Sequence, residues 1–245
     1  MKRIEPTYIE IDGHPIPAKV YLEKRSNVRV SIGKTAVFLR MPIALNKKEA
    51  KNQFGWFQRW VKAQFDDNDH LKTRFFPKLY QTGDVLKVGE RSYTLVINHE
   101  ERSTSTAKLK NGQIQLKLNK DLNSIQLSKS IKTLLSRVVG KDFKSDITKR
   151  VLELNNQFFK KDIKSVKLKY NSSNWGSCSS KSNINLSTRL LFAPSDVIDY
   201  VIVHELTHLI EMNHSPKFWK LVKSVMPNYK QKEKWLKEYG KMCDF

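Results

Sequence analysis

Apolar and polar residues alternate in short runs at the start of the chain: Tyr8-Ile9-Glu10-Ile11, Val20-Tyr21-Leu22, 28–32 and Val37-Phe38-Leu39. A period of two sends every other side chain to one face, as in strands that rest on a core. Gly13, Gly33 and Pro42 punctuate the runs. The period then changes. Phe54, Phe57, Trp60, Val61 and Phe65 recur at helical spacing, and Asn46, followed three residues later by Glu49, is placed to cap the first turn. Strands return at 85–88 and 93–97. Two more flank Asn111-Gly112, a dipeptide suited to a type I′ hairpin. Helical periodicity resumes over 125–158, with Gly140 placed to kink or split it. A strand at 166–170, a loop holding Trp175-Gly176-Ser177-Cys178, a strand at 184–188 and closing helices complete the pattern. The chain is read as having no internal repeat. The order predicts an α+β protein in which a β-rich N-terminal region, 1–122, with one helix, packs on a small helical core, 123–245.

The segment with the most chemistry is Val201-Ile202-Val203-His204-Glu205-Leu206-Thr207-His208-Leu209-Ile210. His204 and His208 are four apart, so on a helix they share a face one turn apart and can hold one metal between them. Glu205 is rotated by about 100° and reaches toward a metal-bound water instead of the metal. The helix is apolar nearly all round and is expected to be buried. Buried polar side chains must be satisfied, and a metal satisfies several at once. His214 is the expected third ligand. Asn213 is placed to end the helix in the left-handed conformation, and Ser215-Pro216 reads as the start of the next helix. His214 is thereby held at a turn, facing back toward His204 and His208. Three histidines leave a fourth tetrahedral position open, as in catalytic zinc sites. Glu211 reads either as a hydrogen-bond partner for an imidazole or as a solvent-facing residue. His14, His70 and His99 read as surface residues.

Composition narrows the class. Hydrophobic residues make up 39% of the 245, enough for a core and too many for a disordered chain. Two cysteines, Cys178 and Cys243, make no disulfide framework and fit a reducing compartment. No apolar window is long enough to span a membrane. No signal-type apolar run follows Met1-Lys2-Arg3, so the expected location is cytoplasmic. Lys and Arg number 45 against 24 Asp and Glu, a net charge of +21. Residues 101–170 alone carry 17 against 6, a net of +11. Such an excess favours non-specific contact with nucleic acid, or else is a solvated surface.

The run His204-Glu205-Leu206-x-His208-Leu209-x4-His214-Ser215-Pro216-x-Phe218-Trp219 resembles the YgjP-like metallopeptidase family, itself similar to the SprT-like and WLM zincins. Trp175-Gly176-Ser177-Cys178-Ser179, Asn183-Ile184-Asn185-Leu186, Pro227-x-Tyr229 and Trp235-Leu236 belong to the same resemblance, which is specific over 166–237 and weaker over 1–120. One departure is Asn174, where the family often has Arg before Trp-Gly-Ser-Cys. The resemblance implies a zincin-like C-terminal core, zinc on His204, His208 and His214, Glu205 as general base, and hydrolysis of peptide bonds. It further implies that the 184–188 strand edges the cleft, with Asn183 and Asn185 contributing contacts to an extended substrate. SprT-like relatives include proteases of DNA-bound proteins, so action near nucleic acid is a further expectation. Two other readings stand beside the peptidase: a metal-dependent nucleotide or phosphoanhydride hydrolase, to which the lysine excess would draw phosphates, and a DNA-binding module with a structural zinc. Glu205 speaks against the last, because a structural site needs no base. A Cys178–His nucleophile is disfavoured for want of an orienting partner.

Overall fold

The computed structural model describes every residue except 1, 4–6, 34 and 77. The chain divides into two compact units, Met1–Lys78 and Leu79–Phe245, each with its own hydrophobic core.

The first unit is a five-stranded sheet with two helices. Its strands are β1 (Lys2–Arg3), β2 (Thr7–Ile11), β3 (His14–Glu23), β4 (Arg29–Ile32) and β5 (Val37–Pro42). β3 pairs antiparallel with β1 and β2 on one side and parallel with β5 on the other, and β4 closes the far edge against β5. The alternation seen in sequence is the pleat: Ile16, Ala18 and Val20 of β3 and Val37, Leu39 and Met41 of β5 are buried on one face. Helix α1 (Lys47–Asp66) covers that face with Phe57, Val61 and Phe65. The expected capping box is present: the Glu49 N–H donates to Asn46 Oδ1, and the Asn46 N–H donates to Glu49 Oε2, each at 2.9 Å. The short helix α2 (Asp69–Phe75) follows.

The second unit begins with a four-stranded sheet of β6 (Val85–Val88), β7 (Arg91–Glu100), β8 (Thr106–Lys110) and β9 (Gln113–Asn119), in the order β6-β7-β9-β8. Asn111 and Gly112 both take positive φ, 49° and 74°, as a type I′ turn requires. Helix α3 (Ser124–Leu154) then runs for 31 residues. Gly140 does not split it. A Cβ there would come within 2.8 Å of the Thr188 side chain, so the glycine permits a close approach of neighbouring elements. α3 touches β8 and β9 and also the later strand β10 (Ser165–Lys169) and helix α4 (Ser195–Thr207), so one continuous core joins them. This is why the units meet after Lys78 and not at 122, where the sequence reading put the boundary. The change there from strands to helices marks a change of element within a single core.

The remaining strands, β11 (Gly176–Cys178) and β12 (Asn183–Ser187), form with β10 a three-stranded sheet in the order β10-β12-β11. Helices α5 (Pro216–Val225) and α6 (Tyr229–Tyr239) complete the unit and pack on α4. The whole is a mixed α+β chain of small sheets and helices.

The two larger sheets are copies of one another. In the first unit the order β2-β3-β5-β4 is followed by α1; in the second β6-β7-β9-β8 is followed by α3. Each pairing recurs 77 residues on (123 − 46, from cap to cap): Ile9↔Ile16 becomes Leu86↔Tyr93, Ala18↔Val37 becomes Leu95↔Ile114, and Val30↔Leu39 becomes Ala107↔Leu116. The capping box recurs as Asn123 and Gln126, and the Arg25–Glu23 ion pair recurs as Arg102–Glu100. Seven of the sixty residues aligned between 7–66 and 84–143 are identical. That is why no repeat was visible in the residue types: the copies share pleat, register and caps, and few side chains.

Candidate metal centre and cleft

α4 carries His204 and Glu205 within its last two turns and ends at Thr207, with His208 as its C-cap in helical conformation. The chain turns at once, through the Leu209 N–H to the Leu206 carbonyl and the Ile210 and Glu211 N–H groups to the Thr207 carbonyl. The helix therefore stops several residues before Asn213, which is not left-handed. The expected start of α5 is present: Ser215 is the N-cap, its side chain accepts from the Phe218 N–H, and Pro216 occupies the first turn. This turn-and-restart brings His214 back over α4.

The nitrogen atoms of His204, His208 and His214 that could serve as ligands all lie within 4.8 Å of one another. Nε2 of His204 and Nε2 of His214 are 2.9 Å apart. Two nitrogens on tetrahedral zinc, each roughly 2.0–2.1 Å from the metal, lie about 3.3 Å apart, so this pair is near the spacing one metal requires. Nδ1 of His208 donates to the Glu211 carbonyl at 3.1 Å, which leaves its Nε2 free. Glu211 thus serves through its backbone, while its side chain pairs with Lys217 at 3.7 Å. The Phe218 ring is fully buried beneath the three imidazoles, 4.9, 4.6 and 4.8 Å from them by centroid. Trp219 stacks beside His214, and Tyr229 lies against Trp219. Burial, reinforced by the other two histidines, holds His204 down at about 4, and burial lowers His208 as well. Neutral imidazoles with aligned lone pairs are what a divalent metal requires.

Glu205 is 5% exposed, and burial pushes its carboxyl up to about 8, while the Cys178 N–H that donates to it acts in the opposite sense. Gly176 lies against it: a Cβ at 176 would fall 2.6–2.8 Å from the Glu205 carboxyl group. The side chain is clamped between the helix that carries it and strand β11.

A cleft of ≈ 580 Å³ opens over these groups. Residues 173–178 form one wall and Tyr200, Met212, Leu236 and Lys237 contribute to the rest. The edging strand is β11, and the strand anticipated for that role, β12, is central, paired parallel with β10 and antiparallel with β11. The Ser187 N–H donates to the Trp175 carbonyl and the Ser179 N–H to the Asn183 carbonyl, so with Ser177 opposite Asn185 the backbone of Ser177 faces β12. Gly176 and Cys178 present their backbone groups to the other side. Asn183 is consequently no cleft residue: its side chain accepts from the Ser165 hydroxyl at 2.7 Å and donates to Ser179 Oγ at 3.1 Å. Asn185 donates to Ser177 Oγ at 3.3 Å. Both work inside the small sheet, bracing β11.

Trp175 lines the cleft, and the Arg189 guanidinium lies over its ring, 4.6 Å from the centroid. Arg189 also donates to the carbonyls of Ser172, Gly240 and Cys243, which ties the 172–175 loop to the end of the chain. Burial, with Glu205 adding to it, pushes the Cys178 thiol up to about 11, far from nucleophilic use at neutral pH. Among the other histidines, His99 is exposed. His14 is half-buried against Phe76 with ring centroids 4.3 Å apart, and the side chain of His70 lies outside the described residues.

A family model described as YgjP-like, metallopeptidase domain, matches residues 26–239. The chain belongs to the YgjP-like metallopeptidase family. No curated protein matches it. Among solved structures, the zymogen of abylysin from Pyrococcus abyssi is similar at 19% identity and a TM-score of 0.34, covering 38% of this chain and 93% of that one. The zymogen of jannalysin from Methanocaldococcus jannaschii is similar at 23% identity and a TM-score of 0.34, covering 39% and 96%. Membership of a metallopeptidase family implies a hydrolase that works with a divalent metal, and the three converging imidazoles are a donor set that fits one. No helix of the described residues is long and apolar enough to cross a membrane.

Sequence reasoning named His204, His208, His214 and Glu205, and the structure brings the three imidazoles together with Glu205 beside them. It missed the contact of Gly176 with Glu205, the carbonyl of Glu211, and the aromatic floor under the imidazoles. The position of Phe218, four residues after His214, was the available signal for the last of these.

Proposed function

We propose that this YgjP-like protein is a zinc-dependent peptidase with His204, His208 and His214 as ligands, Glu205 as general base and an extended peptide as substrate. The convergence of three imidazoles next to a buried carboxyl supports this above all. Zinc in that position would supply Lewis acidity and lower the pKa of a bound water. Glu205 would accept a proton at its carboxylate and pass it to the leaving amine, held in place by the Cys178 N–H on one side and by α4 on the other. The outward backbone groups of Gly176, with the Cys178 carbonyl, offer an extended peptide a strand to pair with, so that β11 is extended by the substrate. Met212, Leu236 and Tyr200 line apolar stretches for its side chains. Asn183 and Asn185 serve by holding β11 in place.

The cleft's charge favours peptide over nucleotide. Among the described lining residues Lys237 is the one Lys or Arg, and it pairs with Glu233 at 2.9 Å, so no free cluster of cations awaits a phosphate. The burial of Glu205 beside the ligands favours an enzyme over a structural metal site. The test is elemental analysis with a cleavage assay on unstructured polypeptide. One zinc per chain is expected in wild type, with a sharp loss in His204→Ala, His208→Ala and His214→Ala. Undiminished zinc in His214→Ala would remove that residue from the ligand set. Release of phosphate from a nucleotide, with no peptide cleaved, would replace the peptidase reading.

A further inference from the structure

The internal copy offers a control for every position on the two larger sheets. In each, one face lies on its helix and the other is open. In the second sheet the open face reads as a solvated surface: Val96 and Asn98 on β7, Gln115 and Lys117 on β9, Lys108 on β8. The positions 77 residues earlier are different. Val96 corresponds to Lys19, Asn98 to Tyr21, Gln115 to Phe38 and Lys117 to Arg40. Tyr8 and Arg29 extend the same face on β2 and β4, both exposed, Tyr8 at 55%.

These side chains form an array. The rings of Tyr21 and Phe38 are nearly parallel, at 11°, with centroids 6.5 Å apart. The Arg40 guanidinium lies 5.6 Å from the Tyr21 ring and 5.5 Å from the Phe38 ring, and the Lys19 ammonium lies 5.8 Å from Phe38. The Phe38 ring occupies the space where a Cβ on Gly33 would fall, 2.3 Å from its Cε2, so the glycine lets the ring lie flat against the edge of the sheet. Glu23 is the acid next to the array and is already engaged by Arg25 at 3.3 Å and Arg40 at 3.5 Å. Glu10 is the other acid on this face, at its margin on β2. The unit as a whole carries 16 Lys and Arg against 8 Asp and Glu in residues 1–78, a net of +8.

We infer that the open face of the β2-β3-β5-β4 sheet binds single-stranded nucleic acid, with Tyr21 and Phe38 stacking on unpaired bases and Lys19, Arg29 and Arg40 meeting the phosphates. Three features carry this. Tyr21 and Phe38 are half-buried and belong to neither the core nor its packed fringe, and the copy of this sheet has no ring at their positions. Aromatic rings between cations on an open sheet match the two faces of a single strand, whose bases are apolar and flat and whose backbone is anionic. A duplex hides its bases and could use only the cations. The site lies on the first unit and does not depend on the peptidase reading.

The test uses the full-length protein and a fluorescein-labelled oligothymidylate of about twenty nucleotides, long enough to cross one small sheet, read by polarisation. Wild type is expected to bind it more tightly than a duplex of equal length. Tyr21→Ala and Phe38→Ala are each expected to weaken binding about tenfold. Asn98→Ala and Gln115→Ala, the same positions on the copied sheet, should leave it unchanged. Lys19→Ala and Arg40→Ala should each flatten the salt dependence by about 0.7 in the slope of log affinity against log salt. If the alanine variants lose their folded circular dichroism, Tyr21→Leu and Phe38→Leu retain apolar cover without an aromatic face and are expected to show the same loss of binding. Duplex bound as tightly as single strand, unchanged affinity in the leucine variants, or no binding at low salt would each overturn the inference.

Discussion

Glu205 and Gly176 depend on one another. The carboxyl group sits where a side chain at 176 would be, so the residue facing it has to be glycine on steric grounds, independent of any turn. Gly176→Ala is expected to push Glu205 away from the Cys178 N–H while leaving the histidines in place: zinc retained, kcat for peptide hydrolysis down by tenfold or more. Activity equal to wild type would show that the clamp is not needed. Glu205→Gln separates chemistry from structure at the same point. The amide keeps the shape of the carboxylate and cannot accept the proton, so zinc content and melting temperature should hold while hydrolysis falls by about 10²–10⁴-fold. Full activity on a substrate that wild type cleaves would reassign Glu205 as structural. The identities of these residues were legible in the sequence because their spacing is a helical one. The Gly176 contact was not, because 29 positions separate it from Glu205 and only the pairing of β11 with β12 brings it there.

Elements set how well the ligands are held. α4 presents two histidines on one face, and the third depends on where α5 begins. Ser215 caps α5, and Phe218, in its first turn, is the floor shared by all three imidazoles. Ser215→Ala is expected to cost about 1 kcal/mol of stability and to weaken zinc affinity, since His214 is the adjacent residue. Titration against a competing chelator would show this, and unaltered affinity would mean that His214 is held by its ring contacts with Phe218 and Trp219 instead. Phe218→Ala empties a fully buried site, with an expected cost of about 3–5 kcal/mol in the denaturation of the second unit. At this scale the sequence was also misleading. Ile184–Thr188 reads as a half-buried strand near the helix, which fits an edge and a centre equally well. Its place in the middle of its sheet is decided by β10, which pairs with it in parallel across an intervening stretch.

For the whole molecule, the two cores and the grouping of all metal ligands in the second unit predict an asymmetric response to metal removal. A ligand present at a hundredfold excess over its Kd stabilises the state that binds it by about 2.7 kcal/mol. Chelation is therefore expected to lower the calorimetric transition of residues 79–245, where His204, His208 and His214 lie, and to leave the transition of residues 1–78 where it was. A shift of both, or of neither, would contradict either the division of the chain or the place of the metal.

Local spacing was enough to anticipate much of this protein: most of the strands and helices, the Asn111-Gly112 turn, the caps at Asn46 and Ser215, and the helical placing of His204, Glu205 and His208. Each depends on neighbours within a few positions, where helical and strand geometry leave little choice. What the tertiary structure alone decided depends on contacts between distant segments. It placed the division of the chain after Lys78 by running one core from β6 through α3 to α4. It made β11 the open edge, gave Asn183 and Asn185 bracing work, and turned Gly140 and Gly176 into points of close approach. It also revealed the repeat: sheet register and burial are set by the pattern of apolar positions, which sixty residues can preserve while nearly every side chain changes, so the copies match in space where their letters no longer do.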